Sequence, residues 1–473
     1  MKISDNQRFK YVILFLPWAL ATVLQTSPVI SYLIAWCGSF YIFFVVFAGV
    51  IKPLPADRTL ANQLMRPVYL VHLIFAGYMS CSSIFYFLNL TGSYHTAYAV
   101  VNIDHSQLLL TAQCQRYYCL GHAAFVSGIL VFMKYPAVTK YYVEKEKIAN
   151  LLLTVALITF PLSLFFLTTP GLAQFYFQLN SLSFISGTLA LAFALPLRKL
   201  PQTVICFILY SFNFYNALTS GFKEPVIVSV LVLGIFLYPS YKKAVIVFFV
   251  PLMLALFVYL PSYVNSFRGN AWGNGETSAD ASQLAIDGVL NNDDIDDTNW
   301  GFLVYRLSEI DMFTDYIKST PEYVDYYRFS IIEQAAIAVI PRFFWPSKPV
   351  TEDMIMERVY VANVISRNSQ VSAKPAVIVD AYLTFGAPGI FLALFIYGAA
   401  AQLIALKAEQ LFGGYTLGCA LIFGGLFEVF WRGMSFEFLV NSVFWSYISM
   451  MIIFKVLRFT SVLKVHVSHN SPM

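Results

Sequence analysis

KKAVIVFFVPLMLALFVYLP, from Lys242 to Pro261, is the stretch that decides the fold. Between the lysine pair and Pro261 lie 17 residues, Ala244–Leu260, without a single charge. A helix of roughly this length matches the hydrocarbon core of a bilayer. Lysines stand at one end of the run. At the other end begins a polar segment, Ser262 to Lys374, which holds 16 of the chain's 26 acidic residues. This asymmetry predicts a chain that crosses a membrane repeatedly and carries one large polar structure on a single side.

The composition extends the same reading to all 473 residues. The apolar fraction is 58% and the charged fraction 12%, against about 45–50% and about 25% in soluble domains. Only helices and closed barrels satisfy the backbone in hydrocarbon. The apolar runs here are too continuous for alternating barrel strands. The expected fold is therefore an all-α polytopic membrane protein with about twelve transmembrane helices. The predicted spans are Tyr11–Gln25, Val29–Ile51, Val68–Leu90, Tyr117–Tyr135, Ile148–Thr168, Phe175–Leu197, Thr203–Ser220, Pro225–Tyr238, Ala244–Leu260, Leu383–Leu406, Tyr415–Trp431 and Phe438–Phe454. They divide the chain into helices one to nine (1–261), a large loop domain (262–376), and helices ten to twelve with a tail (377–473).

Short cytoplasmic loops are enriched in Lys and Arg. With the N-terminus inside, the inner segments hold 18 such residues, from Lys2, Arg8 and Lys10 to Lys455, Arg458 and Lys464. The outer short loops hold three, Arg116, Lys223 and Arg432. That bias predicts cytoplasmic termini and an extracytoplasmic large loop. The net charge of +4 is spread over many loops, so no nucleic-acid partner is expected. The first apolar run feeds directly into the second, and no cleavable signal peptide is expected. Cys37, Cys81, Cys206 and Cys419 lie in apolar runs as small packing residues. Cys114 and Cys119 flank a helix start and leave a disulfide open.

The large loop has its own anatomy. Residues 268–297 are rich in Gly, Asn and Asp. Leu303, Leu307, Ile310, Phe313 and Ile317 fall on one helical face, which Pro321 ends. Ile331–Val339 is apolar but too short to span, and is expected at the interface or buried in the loop domain. Another helix is expected around Asp353–Ile365.

The sharpest local signal is IPRFFWPSKP, Ile340 to Pro349. Three prolines fix its torsions. Phe343, Phe344 and Trp345 suit the headgroup region. Arg342 and Lys348 bracket them. A guanidinium grips phosphate with a planar fork of donors, so this pair beside an aromatic wedge suits a lipid-linked diphosphate. The same residues also suit an interfacial anchor with snorkelling cations.

This stretch resembles the corresponding loop of the Wzy-type O-antigen and exopolysaccharide polymerases. The similarity runs from Arg306 through Pro321, over Pro341-Arg342 and Trp345-Pro346-Ser347-Lys348-Pro349, to DAYLTFGAPG, Asp380 to Gly389. Elsewhere it covers only the topology. The resemblance implies a GT-C-like membrane enzyme of the bacterial inner membrane that joins glycan units carried on undecaprenyl diphosphate. It implies a polyprenyl-diphosphate-linked oligosaccharide and membrane lipid as partners, a chain-length regulator protein as a further one, and no cofactor. One departure stands out. Where family members carry a Gly-Ser-Arg turn, this chain reads Ser220-Gly221-Phe222-Lys223, and Lys223 keeps the charge but loses the fork.

The implied chemistry needs two kinds of group. Cations must stabilise charge building on the leaving diphosphate; the candidates are Arg342, Lys348 and Arg306, then Arg328, Arg367 and Lys223. A carboxylate must take the acceptor's proton; the candidates are Asp380, Glu309 and Asp311. Glu428 lies inside an apolar run, where acids face a cavity or a partner. Arg432 follows it at helical pair spacing. With Trp345, these two are the candidates for the substrate cavity wall. The Asn291–Asp297 run reads as a solvated acidic loop, since it lacks the Gly and terminal Glu of a calcium loop. No zinc site or Walker sequence appears. A ligase that moves finished glycan and a flippase are the alternatives; the latter usually shows repeat symmetry.

Overall fold

The computed structural model describes residues 10–92, 104–291, 300–368 and 373–465. In chain order, α1 is Lys10–Val23, α2 Pro28–Phe47 and α3 Pro67–Leu90. Then come α4 (His105–Phe132), α5 (Lys145–Thr168), α6 (Tyr176–Ala194), α7 (Leu200–Leu218), α8 (Lys223–Leu237) and α9 (Lys242–Arg268). The loop segment supplies α10 (Ser278–Asn291), α11 (Ile310–Ser319), α12 (Ser330–Val339) and α13 (Thr351–Val361). Last are α14 (Val377–Phe385), α15 (Ala387–Leu411), α16 (residues 415–431) and α17 (Phe436–Phe459). Among the described residues the one sheet is a two-residue antiparallel pairing of Tyr141–Tyr142 with Lys464–Val465.

Local sequence sets many of the helix starts. Pro28, Pro67, Pro201 and Pro388 stand in first turns, where a missing N–H is harmless. Asp104 caps α4 by accepting from the Ser106 and Gln107 amides. Gly386, with φ +67°, parts α14 from α15 in a conformation that costs other residues more.

Among the described residues seven helices are long and apolar enough to cross a membrane: α2, α3, α5, α6, α9, α15 and α17. The chain is a helical membrane protein. The other apolar runs read from the sequence are helical too, as α1, α4, α7, α8 and α16, but fall short of those seven in length or hydropathy. The outward faces agree with a lipid setting. Leu157, Ile158 and Phe165 on α5, and Val247, Phe248 and Leu254 on α9, stay exposed, while serines, amides and ion pairs are buried.

The buried axis is α4, flanked by α2 and α15. A β-carbon at Gly128 would collide with the Phe395 carbonyl, and one at Gly398 with the Phe125 carbonyl. These two glycines let the α4 and α15 backbones touch, the small-residue packing that holds helices together without a hydrophobic driving force.

The loop segment is folded onto the helices. α9 runs on to Arg268, past the boundary expected at 261, and α10 packs back on it, with Tyr263 Oη 2.9 Å from Ser282 Oγ. The single amphipathic helix expected from Leu303 is broken. A π turn, Leu303–Leu307, precedes α11, and Glu309 between them has φ +50°. The break turns Ile310, Phe313 and Ile317 into the core, where Phe313 meets Tyr117, Tyr118 and Tyr382.

The apolar run expected at the interface or buried in the loop domain forms a hairpin with α13. α12 descends beside α17: Arg358 on α13 donates to Gln334 and to Glu437, at 2.6 and 2.8 Å, and Trp445 Nε1 donates to the Val339 carbonyl at 2.9 Å. Trp445 is eight residues beyond Glu437, about 12 Å along the helix. The proline-rich turn at the hairpin tip is thereby carried down among the helices.

Candidate functional site

The hairpin tip forms one wall of a cavity of about 750 Å³. α5, α6, α7, α16 and α17 supply the others. Along α17 the lining runs from Glu437 to Ile453, about 24 Å at helical rise. Asn441, Ser442, Ser446 and Ser449 make its first part polar, and Met450 and Ile453 make its far end apolar.

Four cations line this space: Arg342, Lys348, Lys374 and Arg432. Lys348 is 5% exposed and donates to the Ala338 and Ile340 carbonyls at 3.1 and 2.8 Å. It caps the open end of α12, where carbonyls lack partners and the helix dipole favours a cation. Burial, with Arg342 adding, pulls its ammonium below the ordinary range. Among the described residues Arg342 is held by long bonds, 3.4 Å to the Pro346 carbonyl and 3.3 Å to that of Pro349. Bonds this long are weak, so its guanidinium retains donors for a ligand. Lys374 pairs with Glu352 at 3.2 Å, and both line the cavity.

Glu428 ends a π turn, Gly424–Glu428, inside α16. Such bulges recur at functional sites because the extra residue re-aims a side chain. Glu428 is 7% exposed and accepts a hydrogen bond from Ser181 of α6. Arg432 follows one turn later, and its amide donates to the Glu428 carbonyl.

Other sequence candidates lie away from the cavity lining. Asp380 is fully buried at the start of α14, 3.2 Å from Arg358 Nη2, and its Oδ2 accepts from the Phe436 amide. Glu437 shares the same guanidinium. Burial, with Glu437 adding and Arg358 opposing, pushes the Asp380 carboxyl up to about 7. This carboxyl is an ion-pair partner of Arg358 and is not among the residues that line the cavity, although Glu437 is. Asp311 sits in the first turn of α11. Glu309 lines a separate cavity of about 30 Å³ with Tyr78 and Trp431, room for about one water. Arg328 is exposed, with φ +50°. Arg367 pairs with Glu357 on the surface. Lys223 lies over the Phe302 ring at 4.5 Å. Trp345 is exposed on the hairpin turn, its Nε1 donating to Ser347. Arg306 stands in the π turn before α11, and its side chain, like the 292–297 part of the acidic run, lies outside the described residues.

The cavity also gathers residues that sequence reasoning missed. Ser181, Gln178, Asn213 and Asn441 line it. Their one signal was polarity within apolar runs, where the cost of burial calls for a partner. His72 and His122 touch each other at 3.0 Å, and the Phe75 ring stacks on His122. All six cysteines are free, and Cys114 and Cys119 are buried. Among the described residues, no three His, Cys, Asp or Glu side chains gather as metal ligands do.

Residues 16–465 match the family model described as a domain of unknown function, DUF8712, and the chain belongs to that family. No curated protein and no solved structure matches it.

Proposed function

We propose that this DUF8712 member is a lipid-linked glycan polymerase of the bacterial inner membrane. In this reading twelve helices span the bilayer in a GT-C-like arrangement. Both termini are cytoplasmic, and the loop segment and the mouth of the cavity face outward. The substrate is an oligosaccharide carried on undecaprenyl diphosphate.

One observation carries the reading: Arg342, Lys348 and Arg432 share one cavity with the buried carboxylate Glu428. Cations alone would suit any phosphate. A carboxylate in the same cavity adds a proton acceptor, which transfer to a hydroxyl requires. The apolar far end at Met450 and Ile453 suits a polyprenyl tail.

The step follows from these groups. The acceptor hydroxyl oxygen attacks the anomeric carbon of the donor glycan. The bond from that carbon to the diphosphate oxygen breaks, and its electron pair leaves with the diphosphate. Arg342 and Arg432 stabilise the added charge, the first with a planar fork. Lys348 contributes its field while fixing the turn. Glu428 takes the acceptor's proton, with Ser181 orienting it, because Asp380 is held by Arg358 and does not line the cavity. The sugar–diphosphate bond is already activated, so the scheme needs no nucleotide sugar.

Reconstitution tests the proposal. Purified protein in liposomes, given polyprenyl-diphosphate-linked repeat units, should produce longer glycan chains and free polyprenyl diphosphate without any gradient. Transfer of whole chains to a lipid A core without elongation would make it a ligase. Movement of the substrate across the bilayer without new glycosidic bonds would make it a flippase.

A further inference from the structure

Four buried amide atoms in the cavity have no hydrogen-bond partner among the described residues. They are Gln174 Nε2, Gln178 Oε1, Asn213 Nδ2 and Asn441 Oδ1. All four residues line the cavity. They come from the turn before α6, from α6 itself, from α7 and from α17, so no single helix accounts for them. Asn213 is only 6% exposed. Buried polar groups are normally satisfied, and a group left open asks what satisfies it.

We propose that this amide face is a saccharide subsite, separate from the cations on the hairpin tip. The inference rests on the glycan-transfer reading and deepens it. The reason is donor and acceptor arithmetic. Every side-chain amide presents both an N–H and a carbonyl oxygen, whichever way it is turned. A diphosphate only accepts hydrogen bonds, and a polyprenyl chain does neither. Each would leave the amide oxygens of Gln178 and Asn441 bare. A sugar hydroxyl donates and accepts at once, and two neighbouring hydroxyls span one planar amide. Water serves the same groups in the absence of ligand, and a sugar can replace it bond for bond. Ser181 and Glu428 border this face, so a sugar seated there would bring a hydroxyl to the carboxylate. The cavity volume falls within the usual range for small-ligand sites, roughly 300–1,000 Å³.

Binding to the full-length chain in lipid nanodiscs, prepared without glycoside detergent, tests the assignment. The probes are dodecyl glycosides of glucose, galactose, N-acetylglucosamine and rhamnose, with dodecylphosphocholine as a chain-matched head that cannot donate. Farnesyl diphosphate reports on the cations. At least one glycoside should bind about tenfold tighter than dodecylphosphocholine, and Gln178→Leu or Asn213→Leu should each weaken it about tenfold, while farnesyl diphosphate affinity stays within about twofold. Arg342→Ala should do the reverse. The comparison of heads on the unaltered protein needs no variant to fold. Glycosides that all bind no tighter than dodecylphosphocholine overturn the subsite, as do amide variants that weaken glycoside and diphosphate alike. Failure of the unaltered protein to bind farnesyl diphosphate, with glycoside binding intact, would instead remove the diphosphate reading and leave the subsite standing.

Discussion

Ser181 of α6 donates a hydrogen bond to Glu428 of α16, across 247 residues of sequence. This contact joins two helices that form different walls of one cavity. It also leaves the Glu428 carboxylate with acceptor capacity toward the space beside it. Arg432 stands one turn further on, and Arg342 reaches the same space from the hairpin tip. The pairing therefore helps set a carboxylate and two guanidinium groups on the wall of one cavity.

Arg342→Ala removes the loosely held guanidinium. Membrane insertion should be unchanged. The rate of glycan elongation should fall on the order of 10²–10³-fold, the usual cost of removing one donor that stabilises transition-state charge. Cells carrying the variant should accumulate single-unit product and lack long chains, read by gel analysis of surface glycan. Arg342→Lys should restore part of the loss, because charge returns without the fork.

Glu428→Gln keeps the shape and the Ser181 contact but cannot take a proton. Turnover should drop about 10²–10⁴-fold, with substrate affinity little changed. Ser181→Ala should lower turnover less and shift its pH profile. A Glu428→Gln protein that elongates at the normal rate would remove the carboxylate from the mechanism.

Arg358→Met leaves Asp380 and Glu437 buried without their cation. Breaking a buried ion pair in this way costs about 3–5 kcal/mol. The unfolding midpoint in detergent should fall sharply, since this guanidinium links α13, α14 and α17. Adding Asp380→Asn to that variant should recover part of the loss by removing one uncompensated acid.

Asp380 gives the stability a sign with pH. Burial pushes its folded carboxyl up to about 7, while an unfolded one titrates at about 3.9. Between those values the folded state holds the extra proton, so this group's contribution is full below the unfolded value and is lost as pH rises through 7. Thermal unfolding scans from pH 5 to 8 should therefore show a falling midpoint, and Asp380→Asn should flatten that slope.

Much of the fold was legible because hydropathy is a local property. Seventeen uncharged residues such as Ala244–Leu260 become a helix in lipid whatever surrounds them, and each apolar run read from the sequence is helical. The proline-rich string from Ile340 to Pro349 announced a stiff turn with two cations, and the Glu428–Arg432 spacing announced one helical face. Tertiary packing decided the rest. Asp380 reads as a candidate base until α13 and α17 bring Arg358 and Glu437 against it. Gln178, Asn213 and Asn441 read as scattered polar residues until three helices turn them into one cavity. Arg328 and Arg367 share the charge of Arg342 but sit on the surface. Charge and polarity are written in the chain. Whether a group meets a partner, a cavity or solvent depends on contacts between residues far apart in sequence, and only the packed helices fix those.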